Sequence, residues 1–181
     1  MALITVADLE AFTGNVETDN TTLKTSLCAA ASSVVTDHLG YDPTSATRYF
    51  RTVGVGMDFI ILPIPAVASI TSITQDGTTL AATAYSLVAH GGKFWVERTD
   101  GLFFLRNVKI VVTYLAGYGA SVIPDIIKHA VLRIAALMLE ESNGNIGISS
   151  KSFADLSKTF INYTNYAKYL APLAPYVAES I

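Results

Sequence analysis

The feature that most constrains this chain is a change of period partway along it. From about Thr47 to Tyr114 helical spacing gives way to short β-branched or aromatic runs: "RYFRTV", "MDFIILP", "SITSITQDG", "AYSLVA", "KFWVER", "GLFFL" and "VKIVVTY". Turn signals separate them, at Asp76-Gly77, Gly91-Gly92 and Asp100-Gly101, and dipeptides of this kind favour tight hairpins. Asp76-Gly77 and Asp100-Gly101 are the stronger hairpin signals of the three. The alternation in "SITSIT" predicts an antiparallel meander with one face buried.

Both flanks keep a helical spacing. Thr5 with Asp8 resembles a capping box, opening a short helix through about Phe12 that stops at Gly14. Asp19 or Asn20 caps a second helix, whose apolar positions Leu23, Leu27, Ala30, Ala31, Val34 and His38/Leu39 recur every three to four residues. Gly40 and Pro43 end it. A third helix opens at Pro124, where a missing N–H costs nothing. It carries Ile127, Ala130, Val131, Ile134, Ala135, Leu137 and Met138 to about Glu141. Beyond it, "GISSKSFADLSKTFINYTN" predicts an extended or loosely ordered arm, and "NYAKYLAPLAPYVAESI" a short helical or proline-broken tail. The expected fold is α+β: a small helical bundle with an inserted antiparallel β-rich lobe and an extended C-terminal arm. As one domain it divides into N-terminal helices (1–46), β-rich lobe (47–116), long helix (117–145) and C-terminal arm (146–181).

Only 15% of the 181 residues are charged, against roughly 25% in ordinary soluble domains, and the mean hydropathy is positive. The chain thus holds more apolar material than a core of this size readily hides, and the excess belongs in a membrane or against other chains. A spanning helix needs roughly 18 or more continuous apolar residues. The longest uncharged stretches, such as Phe59 to Gln75, are broken by Pro63, Pro65 and many Ser/Thr. The N-terminal "MALITVADLEAF" has acids where a signal peptide needs bases. The expectation is a soluble, non-secreted chain that oligomerises. The single Cys28 excludes an internal disulfide or a multi-cysteine metal site, and with Leu23, Leu27 and Ala31 it reads as a small buried hydrophobe. Net charge is −3 and the 12 Lys/Arg are scattered, so no basic stripe marks a nucleic-acid grip.

Chemistry is hard to find. Gly117-Tyr118-Gly119 lies between a strand and a helix, the layout of a phosphate cradle. However, the dinucleotide pattern needs a third glycine where Val122 stands, and a Walker-type loop needs a terminal Gly-Lys that is missing. Asp125 in the first helical turn would repel a phosphate. A tight corner is the better reading. His38, His90 and His129 have no metal-ligand spacing; Asp125 and His129, at i and i+4, suggest an exposed ion pair rather than a metal site. There is no Gly-x-Ser-x-Gly elbow or Ser-x-x-Lys motif. Ser149-Ser150-Lys151 lacks an adjacent base, and Glu140-Glu141 sits at a helix end. Neither an enzyme, a cofactor nor a metal is expected. Trp95 and Tyr85 could stack on a glycan or other small ligand in a β module, although Trp95 reads better as a hairpin core aromatic. In the tail, Phe160, Tyr163, Tyr166, Tyr169 and Tyr176 keep a partial three-residue rhythm, with Leu170 beside them. Such rings either pack back on their own domain or dock on another chain, where Tyr is favoured.

Four segments, in order, resemble the head-tail connector (adaptor, or head-completion) proteins of tailed phages and prophages. The first is "LITVADLEAFTG" with the long helix to Leu39-Gly40; the second is "LPIPAVASITSITQDGTTL", with Pro65, Val67, Ile70, Ile73 and Asp76-Gly77. The third and most specific is "VTYLAGYGASVIPDIIKHAVLRIAALML", through Tyr114, Gly117, Tyr118, Ile123, Pro124, Ile127, Lys128, Ala130 and Ala135; the fourth is the arm "GISSKSFADLSKTF". The resemblance covers nearly the full length, although "PLAPYVAESI" matches no motif. It implies a non-enzymatic virion protein, made in the host cytoplasm, that forms a homo-oligomeric ring, a dodecamer, beneath the portal. Genome DNA passes through such a ring without sequence-specific binding. Implied partners are the portal protein, neck or tail proteins and further copies of the chain, with no membrane. The expected portal or subunit interface of the C-terminal arm comprises Phe160, Tyr163, Tyr166, Tyr169, Leu170 and Tyr176. Another neck role, as a stopper-like or tail-completion subunit, is the nearest alternative.

Overall fold

The computed structural model describes residues 2–14, 20–119, 122–142, 150–153, 156–159 and 166–178. Among these residues, four α-helices accompany two small antiparallel sheets and a separate strand pair, an α+β architecture with the β elements inserted between helices. Two units emerge: Met1–His38 with Pro124–Ala174, and Leu39–Ile123 with Pro175–Ile181.

In the first unit, α1 (Val6–Thr13) starts with the capping box read from the sequence. The Asp8 amide donates to Thr5 Oγ1 at 3.1 Å and the Thr5 amide donates to Asp8 Oδ2 at 2.8 Å. The bond from the Thr5 amide, then that from the Thr5 hydroxyl to Asp8 Oδ2 at 2.7 Å, hold the Asp8 carboxyl below its usual range. Gly14, at φ 70°, caps the other end through its N–H to the Glu10 carbonyl. The helix α2 (Thr21–Leu39) has its termini where expected, but its buried face differs. Lys24, Cys28, Ala31, Ser32 and Val35 are buried, whereas Leu23 and Leu27 are half-buried and Ala30 is exposed. The stripe turns because Lys24, only 1% exposed, reaches Glu10 Oε1 at 2.8 Å. An apolar-periodicity reading has no place for a lysine that buries its stem and meets a carboxylate. Ser32 is satisfied as well: it accepts from the Leu3 amide and donates to the Cys28 carbonyl. Cys28 is the small buried hydrophobe expected, its thiol pushed up by burial.

The helix α3 (Asp125–Glu140) follows Pro124 and buries Ile127, Ala130, Val131, Ile134, Ala135 and Leu139, one 3.6-period face. It packs against α1 and α4 (Ala167–Leu170). The arm expected to be extended is extended in part as a hairpin: β8 (Ser150–Phe153) pairs antiparallel with β9 (Leu156–Thr159). No helix among the described residues is long and apolar enough to cross a membrane.

The second unit holds both sheets. The first has the order β1-β7-β3-β4, from β1 (Ala46–Val53), β7 (Lys109–Ala116), β3 (Val67–Gln75) and β4 (Thr78–Thr79). The second has the order β2-β6-β5, from β2 (Phe59–Leu62), β6 (Lys93–Arg98) and β5 (Tyr85–His90). This is not the single meander expected. The central strand β7 pairs with β1 on one side and β3 on the other, and burial alternation along a strand says nothing about such distant partners. Strand β7 buries Ile110, Val112, Tyr114 and Ala116, every second residue. Asp76-Gly77 makes the β3–β4 hairpin, with positive φ at both residues as a type I′ turn requires. The other tight hairpin is Gly91-Gly92, between β5 and β6, not Asp100-Gly101. There the Asp100 carboxylate pairs with Arg98 and accepts from the Leu102 amide, so it closes a local turn, and "GLFFL" after it forms no strand.

The Gly117 corner is architectural. Gly117 has φ 100°, and a Cβ there would run into the Thr44 carbonyl, with Thr44 C at 2.6 Å and Pro43 O at 3.0 Å. Backbone bonds from Tyr118 N to Pro43 O (2.7 Å) and Ser45 N to Tyr118 O (2.8 Å) lock the approach. The Gly117 N–H is itself bonded to the Ala66 carbonyl. The loop is filled by its own chain, which removes the phosphate-cradle reading.

Candidate assembly interface

The most distinctive surface lies in the second unit. Two loops meet there: Gly54–Asp58 between β1 and β2, and Leu102–Leu105 after the Asp100 turn. Gly54 makes their contact possible, because a Cβ at that position would overlap the Leu105 carbonyl and crowd Ile110. The loops are zipped by backbone bonds from Gly54 N to Val108 O (2.9 Å), Asn107 N to Gly54 O (2.8 Å) and Phe104 N to Met57 O (2.8 Å). The Leu105 amide also donates to Gln75 Oε1 at 3.1 Å. This rigid backbone displays apolar side chains to solvent: Val55 and Phe103 are each 62% exposed, and Val53, Met57, Leu102 and Leu105 are exposed too.

The patch continues onto the second sheet. Register places Ile61 opposite Trp95 and Phe59 opposite Glu97 on one face, while Leu62 and Val96 point into the core from the other. A groove of about 200 Å³ is lined by Val53, Val55, Met57, Phe59, Ile61 and Phe104 among others. A neighbouring depression of about 350 Å³ is lined by Phe59, Ile61, Lys93 and Trp95. Sharing Phe59 and Ile61, the two form one continuous apolar surface. Scattered exposed hydrophobes need no explanation, but a contiguous patch marks an interaction site. Burying one such Val, Leu or Phe fully is worth about 1.5–3 kcal/mol.

Strand patterning alone does not reveal this surface: "GLFFL" reads as a strand but forms none, and "MDFIILP" does contain one, β2, whose exposed face looks like a buried one in sequence. The available signal was that "GLFFL" is apolar without alternation and sits between Asp100-Gly101 and Arg106-Asn107. The ligand-stacking pair does not come together. Tyr85 pairs with Arg98 and Trp95 with Val88, so along β5 and β6 they point to opposite faces of the sheet. Trp95 is half-buried beside the exposed Ile61, so it is not the core aromatic expected.

Of the C-terminal residues singled out, Phe160 and Tyr163 lie outside the described residues. Tyr166, Tyr169, Leu170 and Tyr176 are half-buried, and they divide between the units. Tyr169 belongs to the first, where the Arg133 guanidinium and the Lys168 ammonium lie 5.8 Å and 4.7 Å from its ring centroid, contacts worth roughly 0.5–1 kcal/mol each when exposed. Tyr166 lies in the same unit; burial, then the nearby Glu141 carboxylate, pushes its phenol up. Tyr176 belongs to the second unit. There the Ala178 amide donates to the Leu39 carbonyl at 2.8 Å. Burial, then the adjacent Tyr118 phenol, pushes the Tyr41 phenol up, with Tyr176 contributing less. The expected Asp125–His129 ion pair does not form; His129 meets the Phe12 ring edge-on at 5.7 Å. No group of three His, Cys, Asp or Glu suited to a metal occurs among the described residues.

An apolar display surface is the most distinctive feature among the described residues, and the comparisons with known proteins give the class of protein that carries it. Residues 2–145 match the family described as head completion protein, and the chain belongs to that family, which is structural and not enzymatic. Solved structures share its fold. A chain from the neck of an empty gene transfer agent particle, computed with C6 symmetry, aligns with TM-score 0.63 at 16% identity, over 99% of this chain and 92% of that one. A chain from the virion of the native particle gives 0.64 at 16% identity, over 99% and 91%. A third, from the native neck computed with C12 symmetry, gives 0.58 at 18%, over 97% and 90%. No curated protein matches the chain in sequence.

Proposed function

We propose that this head completion protein sits at the head-tail interface as a connector, its copies forming a dodecameric ring beneath the portal. The observation that carries the proposal is the continuous apolar surface from Val53 to Trp95 and Phe103. In a ring this surface is buried against the next copy, as obligate interfaces are more apolar than ordinary surfaces. The ring then offers a platform to the next neck or tail protein, and genome DNA passes through it. A net charge of −3 suits a conduit, because a basic lumen would hold phosphates through many contacts. The C-terminal residues Phe160, Tyr163, Tyr166, Tyr169, Leu170 and Tyr176 are assigned to the portal or subunit contact. The occurrence of fold neighbours in particle necks of C6 and C12 symmetry supports this reading.

The test is to mix the purified protein with portal rings and follow the product by mass photometry and negative-stain imaging. A ring of connector copies on the portal is expected, with truncation after Gly147 weakening it. Failure to bind the portal or form rings, with truncation making no difference, would refute the proposal.

A further inference from the structure

A second surface, in the first unit, has different chemistry. Ile126, His129, Ala130 and Arg133 of α3 face Lys168, Tyr169 and Pro172 across a groove of about 410 Å³. Its floor is apolar, through Ile126, Ala130 and Pro172. Its wall is cationic: Arg133 and Lys168 both stand over the Tyr169 ring, and His129 lies alongside. Among the described residues no carboxylate lines the groove, and neither Arg133 nor Lys168 forms an ion pair with a described carboxylate. In a chain whose net charge is −3, two cations ordered on one aromatic face beside an apolar floor form a local site of opposite sign. The Tyr169 ring orients both cations before any ligand arrives, so less side-chain freedom is lost on binding.

We propose that the α3–α4 groove is a docking site for an acidic segment of a partner protein, with its carboxylates on Arg133 and Lys168. Apolar side chains flanking those carboxylates would rest on Ile126, Ala130 and Pro172. Charge complementarity selects an acidic partner, and the short reach of the groove selects a peptide segment over a nucleic acid, whose phosphates call for a line of cations. The apolar surface of the second unit suits contact between like copies, whereas this groove suits a partner of opposite charge. The proposal needs a partner but no ring, so it can fail or hold independently of the connector reading.

The experiment titrates the full-length chain, labelled for amide NMR, with an N-acetylated Glu-Leu-Glu-Leu-Glu peptide, its Gln-Leu-Gln-Leu-Gln analogue and a short DNA duplex. Shifts at Ala130, Arg133 and Tyr169 are expected with the acidic peptide alone. Arg133→Gln and Lys168→Gln, both surface changes, should each weaken binding roughly threefold, as expected for loss of one exposed ion pair. Sedimentation of the double variant should show an unchanged oligomeric state. Equal shifts with the glutamine peptide, stronger shifts with DNA, no shifts at all, or altered self-association in the variant would each overturn the proposal.

Discussion

Substituting Gly117 probes the corner on which the β-sheet closes. In Gly117→Ala the new Cβ meets the Thr44 carbonyl group, with Thr44 C at 2.6 Å and Pro43 O at 3.0 Å. These are backbone atoms, held by the Tyr118–Pro43 and Ser45–Tyr118 bonds, so they cannot swing aside as a flexible side chain could. A φ of 100° adds strain of about 1–3 kcal/mol for any residue with a Cβ. Together the two effects should cost about 3 kcal/mol or more, in the upper range for single substitutions. For a chain of this length that corresponds to a fall in Tm of about 6–12 °C. Urea unfolding followed by circular dichroism reads the change directly. Gly119→Ala is the internal control, because among the described residues its Cβ would meet only Val122 Cγ2 at an ordinary 3.7 Å. If Gly117→Ala unfolds within about 0.5 kcal/mol of wild type, the scatter of a neutral surface change, the claim of a glycine-only corner is wrong.

Other substitutions separate the remaining claims. Glu10→Gln removes the carboxylate that lies 2.8 Å from the buried Lys24 ammonium and should cost about 1–3 kcal/mol by chemical denaturation, whereas Lys24→Met, which removes the charge, should come within about 1 kcal/mol of wild type. Asp8→Asn breaks the capping box and should cost about 1 kcal/mol at neutral pH. The folded Asp8 carboxyl lies below its ordinary value, so its stabilisation is present above that value and lost as pH falls through the folded one. An acid titration should therefore bring wild type and Asp8→Asn together only once the pH has fallen below the ordinary value of 3.8 and on through the lower folded one. Val55→Asp and Phe103→Asp change exposed side chains and should leave the melting temperature within about 2 °C while abolishing assembly on portal rings.

The helix ends and most strand positions, "GLFFL" excepted, are legible in the sequence because local chemistry sets both. Thr5, Asp8 and Gly14 cap α1 by bonds that span a few residues, and the alternation in β7 is visible in its own residues. Partner choice was not legible: β7 joins β1 to β3 through contacts far apart in the chain. The face of α2 was misplaced because Lys24 is buried by a long-range ion pair, and hydropathy counts every lysine as surface. Gly91-Gly92 proved a tighter hairpin than Asp100-Gly101 because the Asp100 carboxylate engages Arg98 and the Leu102 amide. The apolar surface stayed hidden for a related reason. Exposed and buried aliphatic runs look alike until the Gly54 contact brings the Val55 and Phe103 loops together.

The connector account turns on whether the apolar surface meets a second copy of the same chain. A photo-reactive benzoyl-phenylalanine in place of Phe103, irradiated in assembled particles and mapped by mass spectrometry, answers that directly. The account predicts cross-links from position 103 to another copy of this chain, with the free protein giving none. Cross-links to tail or portal proteins only, or none at all in the particle, would contradict it.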